Sequence, residues 1–255
     1  MSAVRTLSKA AVLPFGLPAR RRAGDVVILL YHRVGPGSSQ IELSPAELER
    51  QLAFLAQEGL AIGLGDALGG RGGVVVTFDD GTRDFHEAAL PLLVRHGVPA
   101  VLYLATGGVA NGTPDPSAIT WSQLAECVST GLVTVGSHTH THANLTDASE
   151  HEAEDEMRRS KELIEDRLGV DCRHFAYPWA VAGPAADRVA RGLFDSAAWD
   201  AWRTNRAGRT DPHRLGRVPI LRDDGGFFFR RKAAGQLDTE AWLYRALGRG
   251  PWGKA

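Results

Sequence analysis

From residue 26 onward the chain alternates two patterns. VVILLY (26–31), short, continuous and β-branched, reads as a buried strand. Strand-like runs follow at VVVTF (74–78), PAVLYL (99–104), LVTVGS (132–137), RHFAY (173–177) and RVPIL (217–221). Between them lie SPAELERQLAFLAQEGL, EAALPLLVRHG, WSQLAECVSTG and SEHEAEDEMRRSKELIEDRLG, which carry helical patterns. The first is punctuated by Ser44 as N-cap, Pro45 in the first turn, Glu47 completing a capping box and Gly59 at the end, with Leu48, Leu52 and Leu55 on one face. The last sets Glu154 four before Arg158 and Asp155 four before Arg159, outside a stripe of Met157, Ile164 and Leu168. It reads as a packing helix with a solvated face and is assigned no chemistry. Strands alternating with helices imply a parallel sheet covered by helices: one α/β domain, open or barrel-like, with ligands gathered beyond the carboxyl ends of the strands.

Composition narrows the partners. The chain has 255 residues, 44% hydrophobic and 23% charged, with a formal net charge of −1. Nothing here calls for nucleic acid or an anionic membrane as an electrostatic partner. Cys127 and Cys172 are the only cysteines and form no C-x-x-C pair, which argues against a thiolate zinc site or a disulfide framework and for two buried thiols. The opening segment, MSAVRTLSKAAVLPFGLPARRRAGD, has an apolar run broken by Pro14 and Pro18 and ended by Arg20, Arg21 and Arg22, unlike a secretory signal. No apolar run is long enough to span a membrane. A cytoplasmic location is the expectation, with a weak, arginine-flanked peripheral membrane contact as the lesser reading. The expected division is an N-terminal segment (1–24), a single main domain (25–235) and a C-terminal helix or tail (236–255).

Three predicted strands end in residues that carry chemistry. VVVTF runs into Asp79-Asp80-Gly81, LVTVGS into His138, His140 and His142, and RHFAY into Pro178-Trp179. In a strand, all three histidines would line one face; in a helical turn, only His138 and His142 would meet. The aspartates could form a turn or cap a helix. Alternatively, one could ligate a metal while the other stays ionised beside it. One carboxylate and two imidazoles suit Zn²⁺, Co²⁺ or a similar ion with open positions, the layout of a catalytic rather than a structural site.

TFDDG (77–81) followed by SHTHTH (137–142) resembles the polysaccharide deacetylase family with the NodB-homology domain. HFAYPWA (174–180) matches that family's third motif in its FAYP form. The resemblance extends through YHRV (31–34), ITW (119–121), HANLT (142–146) and LGRVPI (215–220). It implies a distorted (β/α) barrel with fewer than eight regular strands, and hydrolysis of N-acetyl, sometimes O-acetyl, groups from carbohydrate. It further implies Asp80, His138 and His142 as metal ligands, with Thr139 between the histidines and His140 at a variable position. Asp79 becomes the general base activating metal-bound water, and the backbone N–H of Trp179 an oxyanion donor. The metal is expected to be Zn²⁺, with Co²⁺ or Ni²⁺ as alternatives.

The pattern also departs from the family. Relatives that orient the base with an arginine in the third motif have it where this chain has Ala176; Arg217 could reach back to Asp79 instead. Ala180 stands where a glycine often ends that motif. A late Leu-x-His, whose histidine protonates the leaving amine, is missing: the last histidine is His213. His32, at the end of the first strand, is a candidate by position. Trp121, Trp179, Trp199 and Trp202 could stack on sugars, Trp179 being the one beside a motif, whereas Phe227, Phe228 and Phe229 read as packing residues. The reading is a metal-dependent deacetylase of an N-acetylated sugar, glycan or precursor. The alternatives are an O-acetyl esterase or another C–N hydrolase of the same fold, or a catalytically silent carbohydrate-binding protein.

Overall fold

The computed structural model describes residues 23–109, 117–200 and 202–236. Apart from their innermost residues, the N-terminal segment and the C-terminal helix or tail lie outside these. Seven parallel strands close into a barrel: β1 (Asp25–Tyr31), β2 (Gly73–Phe78), β3 (Ala100–Leu104), β4 (Val133–Ser137), β5 (His174–Ala176), β6 (Ser196–Asp200) and β7 (Leu215–Pro219). Each pairs with the next, and β7 closes on β1 through Leu29↔Val218 and Leu30↔Pro219. A two-residue strand, Asn205–Arg206, adds antiparallel to the start of β1.

Helices α1 (Pro45–Gln57), α2 (Leu64–Leu68), α3 (Leu90–His96), α4 (Trp121–Ser129), α5 (Glu150–Leu168), α6 (Pro184–Leu193) and α7 (Gly225–Ala233) complete the layer of secondary structure. Among the described residues no helix is long and apolar enough to cross a membrane. Cys127 and Cys172 are buried free thiols.

Alternation along each strand creates two cores. Val27, Leu29, Val74, Val76, Phe78, Leu102, Leu104, Val135, Phe175, Ala197 and Val218 face outward and pack under the helices. Val26, Ile28, Val75, Val101, Tyr103, Ala176, Ala198 and Leu215 face inward, with Leu64 and Ala67 of α2 packed among them. The inner set is graded in size. Small residues at Gly136, Ala176 and Ala198 leave room for Tyr103; a Cβ on Gly136 would lie 2.7 Å from the His174 carbonyl oxygen and 2.8 Å from the Tyr103 ring.

Several expectations need correction. The strand β6, SAAWD, was not anticipated, because two alanines give it little β propensity and no long apolar run. β7 begins two residues before the expected RVPIL, a shift that leaves every side chain on the same face. Ser44 does cap α1, accepting from Glu47 N–H at 3.2 Å, but the box is not reciprocal: the Glu47 carboxylate is engaged by Arg50 and Gln51 instead. Reciprocal boxes occur at Thr120/Gln123 on α4 and Ser149/Glu152 on α5. EAALPLLVRHG begins as a π-helical turn, Phe85–Ala89, before α3. Of the three phenylalanines on α7, Phe229 is buried and Phe227 is exposed.

Gly136→Ala should destabilise the fold by about 1–3 kcal/mol, since the neighbouring strand carbonyl cannot yield as a flexible side chain would. Urea denaturation measures this; an unchanged midpoint would show that the inner core has slack.

Candidate metal centre

Strand parity decides which side chains reach the carboxyl-end mouth of the barrel. Continuing the inward positions of β1 gives His32, those of β2 give Asp79, and those of β7 give Arg217. Inside the barrel Arg217 forms a bidentate pair with Asp79: Nη1 donates to Oδ1 at 2.6 Å and Nη2 to Oδ2 at 2.7 Å. Both side chains are nearly inaccessible, 1% and 3% exposed. The guanidinium also lies 5.3 Å from the centroid of the Tyr103 ring. A buried carboxylate is tolerable only with such a partner, because desolvation would otherwise neutralise it. Burial by itself raises the Asp79 pKa. The charge of Arg217, then that of His138, and the Arg217 hydrogen bond outweigh it and hold the carboxyl below its ordinary value.

Asp80 takes a left-handed conformation (φ 74°) that sends its carboxylate toward the histidines instead of into the barrel. Its Oδ1 is 3.3 Å from His142 Nε2 and 3.8 Å from His138 Nε2. His138 follows β4 directly and is buried. The chain then bends: neither the strand nor the helical-turn expectation describes residues 138–142. Thr139 (φ 65°) and His142 (φ 60°) are left-handed, an uncommon conformation for a β-branched threonine. Thr139 Oγ1 accepts from Ala143 N–H at 3.2 Å, so this hydroxyl folds the loop back on itself. His140 turns away, its Nδ1 2.9 Å from Thr106 Oγ1.

The donor set fits a divalent cation. Ligand atoms of Asp80, His138 and His142 lie within 4.8 Å of one another. His138 Nδ1 is 2.8 Å from the Ala176 carbonyl oxygen, which can only accept, so Nδ1 carries the proton and Nε2 presents its lone pair toward Asp80. Burial, the largest cause, lowers the His138 pKa, while Asp79 and Asp80 oppose the shift. His142 is shifted the other way, upward, chiefly by its hydrogen bond to Asp80. Burial alone would raise the Asp80 pKa, but that same hydrogen bond and the charges of His138, His32 and His142 leave it depressed.

The remaining candidates divide sharply. His32 belongs to the cluster: burial lowers its pKa, while Asp79 and Asp80 oppose that shift. Trp179, also left-handed (φ 59°), stands at the rim with 63% of its surface exposed. Its Nε1–H donates to the His142 carbonyl at 3.2 Å, and the two rings are 5.4 Å apart. His213 is elsewhere. It precedes β7, at the amino-terminal end of the barrel, and donates from Nε2 to the Phe194 carbonyl at 2.8 Å. Trp121 and Trp199 pack against the outer core, and Lys232 lies over the Trp202 ring. Tyr103 and Glu156 were missed in the sequence. Glu156 accepts three hydrogen bonds from the loop bearing His142.

Arg217→Met strands a buried carboxylate and should cost about 3–5 kcal/mol at neutral pH. In the wild type, the depressed Asp79 pKa contributes stability above the unfolded carboxylate pKa and loses it as pH falls through the folded value. In the variant, burial is no longer countered by arginine, so acidification relieves it. The wild-type advantage should therefore shrink between pH 7 and about pH 4, measured by urea denaturation of metal-free protein. A pH-independent difference would contradict the pairing argument.

Comparison with known proteins accords with this geometry. Residues 69–193 match the family model described as polysaccharide deacetylase. A Bacillus subtilis (strain 168) protein named for polysaccharide deacetylase, YxkH, is 24% identical over 160 residues, 59% of this chain and 55% of that one; the chain thus matches about half of that relative's length. The structure of IcaB from Ammonifex degensii superposes with a TM-score of 0.73 at 28% identity, covering 86% of this chain and all (100%) of the other. The Streptococcus pyogenes deacetylase PplD in complex with acetate gives a TM-score of 0.75 at 22% identity, covering 83% and 99%. The matched span, the closed barrel and the motifs at its carboxyl end agree: residues 69–193, which carry those motifs, match the polysaccharide deacetylase family.

Proposed function

We propose that the protein is a metal-dependent hydrolase that removes the acetyl group from an N-acetylated sugar, glycan or glycan precursor. One observation carries this: an ionised, arginine-held carboxylate and an Asp-His-His donor set meet at the carboxyl-end mouth of one barrel, with Asp79 Oδ2 3.6 Å from His138 Nε2. A binding protein needs neither the pair nor the donor set.

Asp80, His138 and His142 would hold the cation, Zn²⁺ by their chemistry with Co²⁺ or Ni²⁺ as alternatives. A divalent ion there supplies Lewis acidity, acidifying water and polarising the acetyl carbonyl. Asp79 is the general base. Arg217 occupies one direction on each of its oxygens, and a carboxylate retains further lone pairs with which to take a proton. The pair holds Asp79 in place and lowers its pKa, making it a fixed acceptor of modest basicity, which suits a site where the nucleophile is acidified by other means. Arg217 itself is a positioning residue, entering from β7 at the place left open by Ala176 of β5.

The leaving amine needs a proton. Asp79, once protonated, can return it; His32, whose pKa burial lowers within the same cluster, is the second group placed to relay it. The backbone N–H of Trp179 is the proposed donor to the developing oxyanion. Its exposed indole offers a flat face at the rim for a sugar ring, consistent with a carbohydrate substrate.

Asp79→Asn tests the assignment, since the amide preserves shape but cannot accept the proton. Acetate release from N-acetylated hexosamine oligomers should fall about 10²–10⁴-fold while cation binding persists. Wild-type turnover in this variant would remove Asp79 from the mechanism.

A further inference from the structure

The loop 138–142 must hold two proposed ligands on a backbone that bends through two left-handed non-glycine residues. Such a conformation persists only when its surroundings specify it. Its backbone groups are answered from two sides. The carbonyl oxygens of Thr139 and His140 accept from Thr106 N–H at 3.3 Å and Gly107 N–H at 2.6 Å. Gly107 must be glycine for this approach, because a Cβ there would sit 2.7 Å from the His140 oxygen. The outward N–H groups of His140 and Thr141 converge on a single atom, Glu156 Oε2, at 2.9 and 2.8 Å. Thr141 Oγ1 donates to the other oxygen, Oε1, at 2.8 Å. Glu156 sits on α5, which is docked on the end of β4 by the Ser137–Ser160 hydroxyl pair at 2.9 Å and by buried Met157. One carboxylate thus ties the dipeptide between the two histidines to a helix anchored beside them.

We propose that Glu156 is a positioning residue for the cation site: by binding the 140–141 amides it fixes the bend that places His142 opposite His138 and Asp80. The inference rests on the reading of Asp80, His138 and His142 as cation ligands. Glu156 touches neither ligand ring nor substrate in this role. It acts by limiting the conformations of the loop, so its loss should weaken the site without changing the donor set.

The test is Zn²⁺ affinity by competition with a chromophoric chelator, read beside the thermal midpoint of the metal-free protein. Glu156→Ala should lose about 10–100-fold in affinity, the range seen when groups supporting metal ligands are removed. Glu156→Gln, which can still accept both amides and meet the Thr141 hydroxyl, should bind within about threefold of wild type by the same reasoning. Glu154→Ala, on an exposed ion pair of the same helix, controls for general loss of surface charge and should bind as wild type. The metal-free midpoints of all three should lie close together, which a merely structural role of Glu156 would not produce alongside an affinity loss. Should Glu156→Ala fail to fold, Glu156→Asp, whose shorter side chain withdraws the oxygens, takes its place with the same expected loss. Undiminished affinity in Glu156→Ala, or in Glu156→Asp where that variant stands in, overturns the inference, as does equal loss in Glu154→Ala. Failure of the wild type to bind Zn²⁺ would instead overturn the site reading on which it rests.

Discussion

The buried pair between Arg217 and Asp79 is the constraint around which the barrel interior is arranged. A charged side chain of arginine's size can occupy that interior only if its neighbours are small and its charge is matched. Gly136, Ala176 and Ala198 supply the space, Tyr103 supplies a flat face, and Asp79 supplies both oxygens. Removing a pair of this kind on one side costs more than it contributed, because the surviving charge stays buried. The same pair orients Asp79 inward and leaves the next residue, Asp80, to turn outward. Two adjacent carboxylates thereby acquire different partners, one an arginine and the other two imidazoles.

Backbone strain is concentrated where that division of labour occurs. Of the five non-glycine residues with positive φ among those described, Asp80, Thr139, His142 and Trp179 belong to the site; Trp202, the fifth, donates its N–H to the Arg217 carbonyl at 3.1 Å. At Asp80 the bend turns a carboxylate toward His138 and His142, and at Thr139 and His142 it brings the two imidazoles together. The fold is stiff where it needs a scaffold and bent where it needs an angle.

Much of this was legible in the sequence, and the reasons differ by element. The strands β1 and β2 announce themselves because β-branched runs have few other uses. Asp79, Asp80, His138 and His142 stood out because they end such runs, where an α/β fold gathers ligands. β6 escaped because SAAWD fits a barrel interior through its small size, a property that only the neighbouring Tyr103 and Arg217 make meaningful. Glu156 escaped for a related reason: in a helix rich in acids, only the loop folded against it distinguishes this carboxylate from Glu154 or Glu152. The path of residues 138–142 was beyond periodicity altogether, being set by hydrogen bonds donated by Thr106 and Gly107 and accepted by Glu156, all distant from the loop in sequence. The shortage of a late histidine was visible, yet only the structure shows His213 bonded to Phe194 at the opposite end of the barrel.

We read Asp80, His138 and His142 as one cation site beside an arginine-held base. The most direct test of that reading is a calorimetric titration of metal-free protein with Zn²⁺, run in parallel on His138→Ala. One ion per chain is expected for the wild type, and loss of that binding in the variant, with the folded barrel retained. Absence of binding in the wild type, or an unchanged single site without His138, would contradict it.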